Sequence, residues 1–320
     1  MVASPAVSVA LFLAGLALVV WSVEAFVEHV AEAAAGIGVS TFLLTVVLAG
    51  VDLENAVLGV AAAAGDLPDV ALGTVFGEAL FVLGAAVGLA GVVDPFATET
   101  PREYLALTAA SPAPFLAASA DGTVSRFDGL VLVVAFVPLV WAVYRWEARR
   151  TTRYLEAEDA EVDGVGEADD GTDRSPRDLA AVALAVVGMT VGSELAVTGA
   201  RAVLDAFGLA GLAFGATVMS FVASLEELLL TVEPVREGRP EVGVGNVVGS
   251  VLFFVTANVG VIAILRPLDL ASPVFGVHWP FFLVSLAAVL VVLSRGAVGR
   301  IEGVLLLALY AGYWVANYAP

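Results

Sequence analysis

Residues 221–230 read FVASLEELLL. Glu226 and Glu227 stand side by side in surroundings that are almost wholly apolar, and the preceding segment, LAGLAFGATVMS at 209–220, carries no charge. The fold turns on what kind of chain places two acids there.

The surroundings are lipid. Of 320 residues, 60% are hydrophobic and only 15% charged, and mean hydropathy is +0.95, whereas a soluble domain averages about 25% charged residues. Apolar runs recur along the whole length, each near the roughly 20 residues that cross a bilayer as a helix. The chain therefore reads as an all-α, polytopic membrane protein. Its start, MVASPAVSVALFLAG, lacks the basic flank of a cleavable signal and reads as the first span itself. All 14 basic residues are arginine, against 33 acids, for a net charge of −19. That balance suits the cell membrane of a salt-loving prokaryote and offers no basic face to nucleic acid. Cysteine is absent, which excludes disulfides and thiolate metal sites.

Ten spans are expected. The first five cover about Val7–Val30, Val39–Ala64, Val70–Val93, Tyr104–Ala120 and Phe127–Tyr144. The second five cover about Leu179–Phe207, Leu209–Val232, Val242–Leu265, Val274–Leu293 and Ile301–Tyr318. Between the sets, residues 145–178 are dense in acids and poor in large apolar groups, the composition of a solvated linker. With the N-terminus outside, 11 arginines face the cytoplasm and only Arg126, Arg201 and Arg266 fall outside. That positive-inside bias makes the linker cytoplasmic.

Sliding the chain on itself by 172 residues aligns Gly36–Val82 with Gly208–Phe254 without a gap, and 15 of the 47 positions are identical. Among them are Thr45/Thr217, Leu53/Leu225, Glu54/Glu226, Pro68/Pro240, Gly73/Gly245 and Gly77/Gly249. Matches of Val, Leu and Gly come cheaply in such a chain; matches of Glu, Thr and Pro do not. Because each half holds five spans, the second half enters from the opposite face. The fold expected is two inverted five-helix repeats, 1–144 and 179–320, an organisation whose substrate sites lie near mid-membrane at discontinuous helices.

At these residues the chain resembles the sodium/calcium exchanger superfamily of cation antiporters, whose repeats read roughly G-T-S-x-P-E-L and then P-D-x-x-x-G-N-x-x-G-S-N-x-x-N/D. Here the second repeat reads VASLEEL at 222–228 and PEVGVGNVVGSVLFF at 240–254; the first reads GVDLENA at 50–56 and PDVALGTVFGEALFV at 68–82. The resemblance implies an antiporter exchanging Ca2+ for Na+ by alternating access, with no resident cofactor and with Glu227 on the family's ion-binding glutamate. The departures are specific. Asn55 stands opposite Glu227 in the repeat, and Glu54 and Glu226 replace prolines. Asp52 replaces a serine that Ser224 keeps, and Glu78 replaces one that Ser250 keeps. Val51 and Ala223 replace threonine, and Val82 and Phe254 replace an Asn/Asp pair.

The chemistry of the residues points to the same place. A charged side chain at the bilayer centre costs at least about 2.5–3.5 kcal/mol, so intramembrane acids are expected to face a cavity and act. Calcium takes six to eight oxygens, several from carboxylates. Asp52, Glu54, Asn55 and Glu78 from one half, with Ser224, Glu226, Glu227 and Ser250 from the other, form the candidate ligand set. Five of these eight are potential anions, so one divalent cation or several monovalent ones would balance them, and a buried carboxyl is also able to carry a proton. Consecutive helical residues point about 100° apart, so Glu226 and Glu227 aim at one ion only if the helix breaks there. Gly50 would ease such a break in the first repeat; the second has Val222 and must rely on Ser220 and Ser224.

Quieter roles are expected elsewhere. Thr45, Thr74, Thr217 and Asn246 suit packing or backbone carbonyls, and Gly73, Gly77, Gly245 and Gly249 suit close helix approach. Glu24, Glu28 and Glu32 share one face of the first helix, as a solvated or ion-funnelling stripe. His29 and His278 lack metal-ligand spacing, which argues against a zinc enzyme. The alternatives to calcium–sodium antiport are a proton-coupled or other-cation exchanger on the same fold and a homologue that no longer transports.

Overall fold

The computed structural model describes residues 4–36, 52–147, 176–270 and 273–319. The helices in chain order are α1 (Pro5–Gly36), α2 (Leu53–Ala64), α3 (Pro68–Val93), α4 (Arg102–Ala110), α5 (Ala113–Ala118), α6 (Arg126–Glu147), α7 (Pro176–Phe207), α8 (Gly211–Ala223), α9 (Leu225–Arg236), α10 (Pro240–Leu265), α11 (Val274–Ser294) and α12 (Arg300–Tyr318). Six of these contain a stretch long and apolar enough to cross a membrane, and α8 with α9, bent by 49° at Ser224, makes a seventh if taken as one span. Thr45, Gly50, Val51, the first part of Val39–Ala64 and most of the 145–178 linker lie outside the described residues. The expected span Tyr104–Ala120 is instead two short helices, α4 and α5, interrupted at Ser111 and Pro112. Pro112 and Pro114 lack the N–H that would continue the hydrogen-bond ladder.

Local structure recurs at the spacing of the sequence repeat. Pro68 and Pro240 each occupy the first turn of α3 and α10, where a missing N–H costs nothing. Both helices then pass through a π-helical turn, Phe81–Ala86 in one and Phe254–Asn258 in the other. Asp66 has φ 59° and Gly238, 172 positions later, has φ 76°; Asp is among the few side chains that tolerate this left-handed conformation. Two small antiparallel ribbons follow the same rule. β1 (Phe96–Ala97) pairs with β4 (Ala297–Val298), and β2 (Thr123–Val124) pairs with β3 (Leu268–Asp269).

The helices pack in matching pairs. The end of α3 lies on α12 and the end of α10 lies on α6, while α1 and α7 run along each other. Lipid tails are as apolar as leucine, so such contacts depend on close van der Waals approach through small residues. A Cβ on Gly88 would sit 3.0 Å from the Gly303 carbonyl oxygen, and one on Gly260 would sit 2.7 Å from that of Gly129. Glycine therefore meets glycine at both crossings. α3 and α10 form the centre, with 89% and 83% of their apolar windows buried, whereas the windows of α6 and α7 are only 17% and 28% buried.

Of the three arginines that break the charge bias, two engage carbonyls at a helix end and the third pairs with a carboxylate in the turn after α2. Arg126 reaches the Leu265 carbonyl at 3.5 Å, Arg201 donates to the Gly65 carbonyl, and Arg266 pairs with Asp66. Cations are favoured at helix C-termini, where carbonyls are left without partners.

Candidate cation site

The acids gather where α2 and α9 begin. Asp52 caps α2: its Oδ1 accepts the Asn55 backbone N–H at 2.9 Å, and its Oδ2 accepts from Asn55 Nδ2. Ser224 holds the equivalent place before α9 but makes no capping bond, and its buried Oγ has no hydrogen-bond partner. The break expected from Ser224 is thus present. Glu226 and Glu227 both lie in the unbroken helix that follows it, where consecutive residues point about 100° apart, so they diverge. Glu227 is buried and turns toward α10, where its Oε2 accepts from Asn246 Nδ2 at 2.7 Å and Ser250 Oγ at 3.0 Å. Glu226 is half-buried and adjoins Glu54 of α2.

Carboxyls meet in pairs across the two halves. Asp52 and Glu227 lie within hydrogen-bonding reach of each other, and so do Glu54 and Glu226. Ionised carboxylates only accept hydrogen bonds, so each contact needs a cation or a proton between its members. Glu24, exposed on α1, is close enough to Glu54 for its charge to be felt there. Among the described residues, no three acidic or histidine side chains converge on a single point as a ready metal cage.

The repeat does not copy the charge. In the second half the carboxylate is on the broken helix (Glu227) and the hydroxyl on α10 (Ser250). In the first half the equivalent positions are reversed in kind: Asn55 on α2 is the neutral amide and Glu78 on α3 carries the carboxylate. Glu78 is fully buried, and its Oε2 accepts from Asn258 Nδ2 of α10 at 3.2 Å. Asn258 was not singled out in the sequence because its counterpart is Ala86, so the repeat gives no signal there; a lone amide in an apolar run was the only one available. Asn246, expected to serve packing, instead binds Glu227 directly and also reaches Thr231 Oγ1 at 3.3 Å. Thr74 and Thr217 do bond backbone carbonyls, at Ala71 and Ala213. His278 is buried among aromatic rings with its Nδ1 2.7 Å from the Tyr313 hydroxyl.

Asp52 thus has a structural role separable from its charge. Asp52→Asn keeps the capping oxygen and is expected to leave stability within about 0.5 kcal/mol of wild type, whereas Asp52→Ala loses about 1 kcal/mol. Thermal unfolding in detergent checks both.

Buried acids and amides held at helix breaks, inside a bundle of membrane-long helices, define an integral membrane protein with a polar centre. The family model described as "Sodium/calcium exchanger protein" matches residues 7–145 and 178–319, and the chain belongs to that family. It is similar to the membrane protein MJ0091 of Methanocaldococcus jannaschii, 24% identical over 301 residues that cover 93% of this chain and 94% of that one. It is also 24% identical over 143 residues to the sodium/calcium exchanger MaX1 of Methanosarcina acetivorans, covering 44% of this chain and 41% of that protein. The solved structure of the sodium-calcium exchanger NCX_Mj matches with TM-score 0.59 at 21% identity, over 98% of this chain and 99% of that one. At that identity the likeness is one of fold. The family is one of membrane exchangers, not of enzymes.

Proposed function

We propose that the protein is a secondary active cation antiporter that exchanges Ca2+ for Na+ by alternating access. Asp52, Glu54, Asn55, Glu78, Ser224, Glu226, Glu227 and Ser250 line its ion path near mid-membrane. The observation that carries this reading is Glu227: a buried carboxylate held by Asn246 and Ser250, with Asp52 against it from the other half. No basic side chain among the described residues is paired with either acid, so the balancing charge is that of the cargo. Family membership and the MaX1 likeness favour sodium and calcium as that cargo.

The proposal includes ten spans in two inverted repeats, 1–144 and 179–320, with the N-terminus outside and the 145–178 linker in the cytoplasm. The recurrence of proline starts, π-helical turns and ribbons at a spacing near 172 supports the repeat. The 11-to-three arginine bias supports the orientation, and the three exceptions have contacts of their own, two with helix-end carbonyls and one with Asp66. The acidic, lysine-free composition supports a halophilic prokaryote.

A second reading keeps the fold and couples calcium, or another cation, to protons. The paired carboxyls favour it, since a proton closes either pair as readily as a cation does. Calcium flux into proteoliposomes, driven in turn by a sodium and by a proton gradient, separates the two. Flux under the sodium gradient alone is expected; flux under the proton gradient alone would replace sodium in the mechanism, and no flux under either would remove the transport assignment.

A further inference from the structure

Acids outside the candidate ligand set stand on the paired helices α1 and α7. Glu194 lies in the middle of α7, inside the apolar window Ala180–Phe207, and its side chain is exposed. Thr190, Thr198, Arg201 and Asp205 are exposed as well. At about 100° per residue these five fall within roughly 80° of one another, so they make one polar stripe from the middle of α7 to its end. The same face nearer the start of α7 is apolar, with Ala183 and Val187 exposed on it. α1 shows the reverse order. Leu13 and Ala17 are exposed on the face that later carries the exposed Glu24, and Glu28 and Glu32 follow in sequence at four-residue steps.

Packing gives the stripes a direction. A Cβ on Gly199 would meet Phe12, one on Gly15 would meet Ala196 and one on Gly192 would meet Val19, so α1 and α7 run antiparallel. α2 lies beside both. Arg201 donates to the carbonyl of Gly65, which caps the end of α2, while the charge of Glu24 is felt at Glu54 in its first turn. Glu194 is therefore seven residues, about 10 Å of helix, inward from the end of α2 that Arg201 marks. In the orientation proposed above, the polar half of the α7 stripe opens to the outer face and that of α1 to the cytoplasm. No described residue pairs with Glu194. A carboxylate facing lipid at mid-helix is costly, so this face calls for water. A second copy would not serve: a two-fold axis along the membrane normal sets Glu194 against its own counterpart, like charge against like.

We propose that Glu194 is the outer capture site for cargo cations, placed between the outer surface and the Glu54–Glu226 pair, and that Glu24 is its counterpart toward the cytoplasm. This role rests on the cation-exchange reading; the two stripes do not. The Thr190 and Thr198 hydroxyls, one turn to either side of Glu194, offer oxygens in place of part of a cation's water. One carboxylate with two hydroxyls holds an ion loosely, as suits a group that passes it on.

The test is sodium-dependent calcium uptake by sealed membrane vesicles of both orientations carrying the full-length chain, at constant ionic strength. Glu194→Gln is expected to raise the half-saturating calcium concentration at the outer face by about fivefold or more, leaving the maximal rate and the cytoplasmic-face value within about twofold. Glu24→Gln is expected to do the reverse. Glu194→Asp keeps the charge and restores most of the outer affinity, which a packing role would not. Asp269→Asn removes another exposed acid, from the outer ribbon, and leaves both faces as in wild type. An equal rise at both faces in Glu194→Gln, or an outer rise as large in Asp269→Asn, would overturn the proposal. Absence of uptake by wild type from either face would remove the exchange reading and the capture role with it. Uptake whose outer affinity is indifferent to Glu194→Gln would remove the capture role alone.

Discussion

Glu227→Gln is expected to abolish cation exchange while leaving a folded protein. The carboxylate is the acidic group that faces Asn246 and Ser250 on one side and Asp52 on the other. Glutamine keeps one acceptor oxygen for Asn246 and Ser250, and its NH2 donates to Asp52 where a shared proton or cation would otherwise lie. The net loss of stability is therefore small, about 1 kcal/mol or less. Transport loses its charge, and a fall of at least about 100-fold, equivalent to roughly 2.7 kcal/mol, is expected. Flux per folded protein, with folding checked by size-exclusion profile and thermal midpoint, measures the two effects separately. Exchange at wild-type rate would remove Glu227 from the ion path.

The largest effect on folding is expected at the contact between α3 and α8, which has a π-helical turn of its own at Gly215–Met219. A Cβ on Gly73 would lie 2.7 Å from the Ala216 backbone nitrogen, and one on Gly215 would lie 2.9 Å from the Val70 carbonyl carbon. Both obstacles are backbone, which has no rotamer to swing away. Gly73→Ala or Gly215→Ala is expected to cost about 1–3 kcal/mol, and Gly73→Val to prevent assembly of the bundle. Gly312→Ala is the matching control, because its Cβ would meet only a Phe281 ring carbon at the ordinary distance of 3.7 Å. Thermal unfolding in detergent ranks the three alanine variants, and equal midpoints would show that the helices have room to part.

The repeat was legible because its signals are local. Prolines start helices, glycines permit close approach, and both recur with a fixed offset, so Pro68 predicts Pro240 and Glu54 predicts Glu226. Ser224 was legible as a place where the second repeat's helix could break, but the bend falls before both acids and leaves Glu226 and Glu227 pointing apart on one helix. The partners were not legible. Asn246 binds Glu227 and Asn258 binds Glu78 across helix interfaces, and separations of 19 and 180 residues carry no trace in local pattern. The break between α4 and α5 was missed for another reason. Hydropathy averages over Ser111 and Pro112, whereas the backbone ladder responds to each missing N–H.

The central position of α3 and α10 bears on how the protein is made. Most of their apolar windows are enclosed by other helices, yet their mean hydropathies, 2.0 and 2.3, match or exceed the 1.9 of the outlying α6 and α7. A helix enclosed by protein has no need of an oily surface for its final surroundings. A helix that leaves the insertion machinery before its neighbours exist does need one, because each segment must be stable in lipid before bundles assemble. Glu78, Asn246 and Asn258 are then the polar load that these two segments carry through the membrane on the strength of their Val, Leu and Phe. The oily composition of the innermost helices is set by their route into the bilayer.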